Sequence, residues 1–156
     1  MSRPPAHAQV RPATSDADWR LVQSVRRRVF VAEQGVPEAD EWDAADAPDL
    51  RGLTVHHLLA VREGEPVGAA RWRPAPAEPA VAKLERFAVV PEARGRGVAR
   101  QLVARALADA RGAGFRRFVL HAQTYAAGLY AGFGFEAEGE PFDEDGLEHV
   151  KMTLTD

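Results

Sequence analysis

The chain has 156 residues, 46% of them hydrophobic and 28% charged, with a formal net charge of −3 and no cysteine. That length suits one domain able to bury roughly 70% of the unfolded chain's surface, and the acidic balance removes the global positive field that draws a protein to nucleic acid. Disulfides, thiolate metal sites and a cysteine nucleophile are excluded; Met1–Pro5 carries no apolar segment of a secretion signal and no run approaches the ~20 apolar residues of a membrane span, so the expectation is a single soluble, cytoplasmic domain over 1–156 with no nucleic-acid or membrane partner.

Residues 1–7 read as a loose tail and Gln9–Pro12 as a short first strand. Ser15, followed by Asp16 and Asp18, has the pattern of a helix N-cap whose acids complement the helix dipole. Trp19, Val22, Val25 and Val29 recur at helical spacing and predict a helix to about Gln34, where Gly35 and Pro37 stop it. Arg26-Arg27-Arg28 on this helix reads as a solvated basic face balanced by nearby acids, in preference to a grip on a substrate anion. Glu38–Asp49 is acidic, without Lys or Arg, around Trp42. It lacks an Asp-x-Asp-x-Asp-Gly cation loop and reads as a solvated loop or short irregular helix lining the substrate entrance, so no metal is expected.

Thr54–Arg62 alternates as a strand, Glu63-Gly64-Glu65-Pro66 turns, and Val67–Arg73 reads as its hairpin partner. Pro74–Pro79 is a proline-rich loop and Val81–Val90 the next strand. A helix follows Gly97, with Val98, Leu102, Val103, Ala106, Leu107 and Ala110 forming one apolar stripe, and Gly112 and Gly114 end it. Phe115–Ala122 is a strand, Thr124–Phe133 a short helix closed by Gly134, and Phe135–Glu138 and Leu147–Leu154 two final strands. A hairpin followed by alternating strands and helices predicts one mixed α/β sheet with helices on both faces. Ligands of such sheets sit outside the carboxyl ends of strands, here Val89-Val90 and His121-Ala122-Gln123.

The chemistry concentrates in Leu84–Arg100. A strand rich in β-formers ends at Pro91, Gly95 and Gly97 bracket Arg96, and a helix begins. Such a turn leaves backbone N–H groups without partners at the positive end of a helix dipole, a site for phosphate oxygens. The dinucleotide fingerprint fails because Arg100 holds its third glycine position, which argues against a nucleotide-binding oxidoreductase, and no P-loop Gly-Lys-Ser/Thr follows.

Arg94-x-x-Gly97-x-Ala99 after Phe-Ala-Val-Val-Pro resembles motif A of the GNAT N-acetyltransferases, the turn that holds the diphosphate of acetyl-CoA in that family. Leu129-Tyr130-Ala131-Gly132-Phe133-Gly134-Phe135 resembles the family's motif B. Val31-Ala32-Glu33-Gln34-Gly35 after Arg28-Val29-Phe30, with His121-Ala122-Gln123 and Asp145-Gly146-Leu147-Glu148-His149, resembles the ElaA-like branch. The Arg-x-Val-Phe-x-x-Glu-Gln pattern is also similar to the acyl-homoserine-lactone synthases, but the well-formed motif B argues against that subgroup. The likeness extends over most of residues 20–154.

This resemblance implies the GNAT (acyl-CoA N-acyltransferase) fold: a mixed, mostly antiparallel sheet splayed at its central parallel strands. It implies an acetyl-CoA-dependent N-acetyltransferase acting on a primary amine of a small molecule or protein, with a non-catalytic acyl-CoA-binding regulatory module as the alternative. Many family members also pair into homodimers. Acetyl-CoA would be held by Arg94, Gly95, Arg96, Gly97, Val98 and Ala99, with Leu129 and Tyr130 beside it. The backbone of Phe87, Ala88 and Val89 would pair with the pantetheine arm as a missing strand does, and N–H near Val89 would donate to the thioester oxygen. Tyr130 would donate a proton to the leaving thiolate. For the amine's proton, Glu85 is the first candidate base, sharing by period-two alternation a face with Lys83, Phe87 and Val89; His121 or a water chain is the other. Glu33, His121 and Gln123 are candidates to line the acceptor site.

Overall fold

The computed structural model describes residues 7–156, so residues 1–6 of the expected tail lie outside the described residues. The first strand, β1 (Gln9–Pro12), leads to α1 (Asp16–Arg26), capped as expected by the Ser15 hydroxyl, which accepts from Asp18 N–H at 3.1 Å. The predicted helix continues to Glu33, but Arg27–Glu33 is π-helical. The Gln34 N–H reaches back five residues to the Val29 carbonyl (3.0 Å), and Gly35 leaves the turn at φ 77°. A widened turn of this kind often marks a functional segment.

After α2 (Glu38–Glu41) and two 3₁₀ turns come β2 (His56–Arg62), β3 (Glu65–Pro74) and β4 (Ala82–Val89). Next are α3 (Val98–Gly112), β5 (Arg117–Gln123), a 3₁₀ turn over Thr124–Ala126 with α4 (Ala127–Ala131), β6 (Glu136–Glu144) and β7 (Leu147–Thr155). Among the described residues the seven strands form one sheet in the order β1-β2-β3-β4-β5-β7-β6. Every neighbouring pair is antiparallel except β4–β5. That pair is in register only at Ala82–Phe118 and Lys83–Val119 and then parts, which is the expected splay.

Both faces of β3 are buried from Val67 to Trp72 because a helix covers each. Gly68 sets the approach of α3: a Cβ there would meet Leu102 Cδ1 and Val98 Cγ1 at 3.0 Å. The opposite face packs against Val22, Val25 and Val29 of the first helix.

That same face holds a buried ion-pair network. Arg26 is 1% exposed and Glu41 0%. Arg26 Nε donates to Glu41 Oε1 (2.8 Å), and its terminal nitrogens grip both oxygens of Asp46 (2.7 and 3.0 Å). Arg71 of β3 donates to Asp46, to both oxygens of Asp43 and to Glu85. The solvated reading of the arginine run therefore holds for Arg27 and Arg28, which pair with Glu38 and Glu92 at the surface, and fails for Arg26. The acidic stretch is likewise not simply solvated: Glu41 and Asp46 are the counter-charges of the core.

His57 of β2 lies against the Trp19 ring, centroids 4.7 Å apart, with neither ring nitrogen hydrogen-bonded. Burial pushes its pKa down to about 4. The folded value lies below the unfolded one, so the unfolded chain takes the proton first and stability falls as pH drops from about 6.5 towards 4, by up to about 1.4 kcal/mol per pH unit. His57→Phe leaves no donor or acceptor stranded and should flatten this decline. Urea unfolding at several pH values between 7.5 and 4.5 checks it: the wild type should lose stability faster than the variant, and parallel curves would contradict the assignment.

Candidate active site

The parting of β4 from β5 opens a cleft of about 660 Å³, within the range of small-molecule sites. Its floor is set by a bulge. Arg71 faces Glu85 and Ala69 faces Ala88, so two residues of β4, Arg86 and Phe87, stand opposite Ala70 alone. Arg86 takes φ 57°, a left-handed conformation costly for a side chain with a Cβ. The extra residue reverses the alternation. Glu85 keeps the Lys83 face and Ala88, opposite Ala69, joins it, so Phe87 and Val89 fall on the opposite one and the expectation that Glu85 shares a face with Phe87 and Val89 is corrected.

Beyond the bulge the strand presents backbone to the gap. Val90 N–H is spent on the Val67 carbonyl at 3.0 Å, so alternation turns the Val89 N–H and C=O to the open side. The Val89 carbonyl accepts there from Arg94 Nε at 2.9 Å. The chain then turns through Gly95 (φ 76°) into Gly97 (φ 82°), the N-cap of α3. The first bond of α3 joins Gln101 N–H to the Gly97 carbonyl (3.0 Å), and no side chain caps the helix, which leaves the N–H groups of Val98, Ala99 and Arg100 at its mouth. A Cβ built at Gly95 or Gly97 meets nothing within 4 Å. This open, donor-lined cradle fits the oxygens of a diphosphate. The side chain of Arg94 is engaged elsewhere, its terminal nitrogens holding the Glu33 carboxylate, one of them at 2.7 Å. Both partners are about two-fifths exposed, and such a pair is worth only about 0–1 kcal/mol, so an incoming polyanion can replace Glu33 at little cost.

Of the residues singled out by sequence, Glu85, Phe87, Ala88, Val89, Arg94, Gly95, Gly97, Val98, Ala99, His121, Gln123, Leu129 and Tyr130 line the cleft; Arg96 and Glu33 do not. Glu33 spans instead to Arg94, and its neighbour Gln34 accepts from Gln123 Nε2 at 3.0 Å, so the last residue of the π-helical segment and its C-cap bridge to both sides of the split. Tyr130 is buried, edge-on to Phe87 and Phe135 with centroids 5.8 and 6.3 Å away. Burial raises its phenol above the ordinary value, so it stays protonated. Glu85 receives Arg71 and Arg73, with Lys83 at 3.6 Å. Burial alone would raise its carboxyl, but Arg71, then Arg73 and Lys83, outweigh it and hold it low. A carboxylate tied to three cations is a poor proton acceptor.

Sequence reasoning missed Arg73, Arg86 and Glu144, which also line the cleft, as do Asp43 of the acidic stretch expected at the substrate entrance and Asp145 of the Asp145–His149 segment. Glu144, at the end of β6, receives His121 Nδ1 at 3.1 Å and has His149 Nε2 at 3.6 Å. No local pattern marks Glu144; the β6–β7–β5 register carries it there.

Comparison with known proteins points one way. Residues 47–156 match the family model described as acetyltransferase (GNAT) domain. A Bacillus subtilis protein named as a candidate acetyltransferase is 37% identical over 147 residues, 94% of this chain and 96% of its own. The crystal structure of an acyl-CoA N-acyltransferase from Pseudomonas aeruginosa superposes with a TM-score of 0.81 at 27% identity, covering 95% of this chain and 99% of the other. Escherichia coli ElaA gives 0.80 at 25%, covering 94% and 99%.

Proposed function

This chain belongs to the GNAT acetyltransferase family, and from that premise we propose that it moves an acetyl group from acetyl-CoA to a primary amine of a small molecule or protein by direct attack on the thioester. The observation that carries the reading is the uncapped mouth of α3, with its unpaired N–H groups, set where β4 leaves β5. Gly95–Ala99 would hold the diphosphate, and the open edge of β4 at Phe87–Val89 would take the pantetheine amides as a strand does. Acetyl-CoA supplies the activated acyl group. Val89 N–H, preorganised on the open side, is aimed to stabilise charge developing on the thioester oxygen.

Tyr130 serves the leaving sulfur. A phenol held protonated beside the cleft can hydrogen-bond the departing sulfur and hand over its proton as it takes another from the amide nitrogen; the exchange must be coupled because the thiol, with a reference pKa of about 8.5, is the stronger acid. Tyr130→Phe keeps the ring packing against Phe87 and Phe135, so it should lower kcat by about a hundredfold or more while acetyl-CoA binding stays nearly unchanged. The test is thiol release from acetyl-CoA over a panel of primary amines, with calorimetry of the same variant. Turnover of at least one amine by the wild type, with loss confined to kcat in the variant, is the expected result. A wild type that binds acetyl-CoA and acetylates none of the panel would contradict the transferase reading in favour of a binding module.

A further inference from the structure

The cluster of His121, Glu144 and His149 in the cleft has a defined proton arrangement. Glu144 is held below the usual carboxylate range chiefly by its hydrogen bond from His121, so it is ionised at neutral pH and can only accept. His121 Nδ1, at 3.1 Å, must therefore carry the shared proton. That leaves the lone pair of a neutral His121 on Nε2. The ring is fixed by edge-on contact with Phe142, centroids 5.1 Å apart. The other oxygen of Glu144 faces His149 Nε2, while His149 Nδ1 lies 2.8 Å from the Leu147 carbonyl, which can only accept, so His149 donates there. A base whose tautomer is set by a carboxylate, in a cleft, is the arrangement that proton abstraction requires.

We propose that His121, oriented by Glu144, is the general base that deprotonates the acceptor amine, and that Glu85 is not. This rests on the transferase reading above. His121 Nε2 takes one proton from the acceptor ammonium. The freed lone pair forms the C–N bond as the C–S bond breaks, and the electron pair leaves on sulfur. Sulfur takes its proton from Tyr130, which regains one from the nitrogen of the new amide. His121 returns the first proton to solvent. His121 is a catalytic residue in this scheme and Glu144 a positioning residue. The other charges near His121 are Lys83 and Glu85 on β4, Asp145 in the β6–β7 turn, and His149 and its own cross-strand partner Lys151 on β7. Glu85 is consumed by Arg71, Arg73 and Lys83, and Lys151 by Glu138 at 3.5 Å, which leaves Glu144 as the carboxylate in contact with His121.

The test compares two probe acceptors, butylamine, protonated at neutral pH, and hydroxylamine, neutral there. His121→Asn should slow transfer to butylamine by about a hundredfold or more and transfer to hydroxylamine by less than tenfold, because that nucleophile needs no prior deprotonation. The wild-type rate with butylamine should rise with pH along one limb, and His121→Asn should abolish that limb. Glu144→Gln, which keeps a hydrogen-bond acceptor, should displace the limb, and Glu85→Gln should leave it in place. Equal loss on both probes, or a limb that follows Glu85, would overturn the assignment while leaving the transferase reading intact. A wild type that acetylates neither probe would overturn that reading, and this proposal with it.

Discussion

Replacing Arg26 with methionine is expected to lower the free energy of unfolding by about 3–5 kcal/mol, whereas the same change at Arg28 should cost about 1 kcal/mol or less. The two arginines are two residues apart and opposite in environment. Arg28 meets Glu92 where both are about half exposed, and water replaces the lost partner. Arg26 is surrounded by Glu41, Asp46 and the rings of Trp19 and Trp42. Without it, Glu41 loses its one hydrogen-bonded partner. Its second oxygen already has none, and the nearest remaining cation, Arg86, is 3.7 Å away. Burial already raises the Glu41 carboxyl despite Arg26, so the variant would have to bury a lone charge or take up a proton. A loss of that size is a large part of the 5–15 kcal/mol typical of a domain. Urea denaturation of both variants checks it, and adding Glu41→Leu to Arg26→Met should recover part of the loss. Equal small effects at positions 26 and 28 would contradict the network's role.

Gly97→Trp should weaken acetyl-CoA binding by about a hundredfold or more. Hydrogen bonds to a charged group contribute roughly 1.5–3 kcal/mol each, and losing two of the helix-mouth donors already corresponds to that factor. The open space around a Cβ at Gly97 is where the proposed diphosphate sits, and an indole would fill it. The substitution also strains a residue at φ 82°, so a control is needed. Gly64, at φ 80° in the β2–β3 turn and equally open, provides it. Gly64→Trp should impose the same backbone cost and leave calorimetric affinity intact. Similar affinities for both variants and the wild type would remove the helix mouth from the cofactor site.

What was legible in the sequence was local. The turn from β4 into α3 announces itself within a dozen residues, through a strand, two glycines and an amphipathic stripe, and the structure has that turn with both glycines at positive φ. The splayed sheet followed from the family likeness of motifs A and B. What was illegible depends on distant partners. The acids that bury Arg26 lie 15 and 20 residues along the chain, and a run of three arginines does not say which one will meet them. The bulge at Arg86 has no glycine to signal it, yet it alone decides that Val89 turns away from the face of Glu85. β6 continues to Glu144 through Gly139 and Pro141, residues that disfavour a strand, because pairing with β7 overrides propensity. That extension is what delivers Glu144 to His121.

The most direct measurement is a crystal structure of the chain with coenzyme A bound. Diphosphate oxygens are expected on the backbone N–H groups from Gly95 to Arg100, with Arg94 released from Glu33 towards them and the sulfur between Val89 and Tyr130. A diphosphate bound away from the Arg94–Ala99 turn, or a pantetheine arm running outside the gap between β4 and β5, would contradict it.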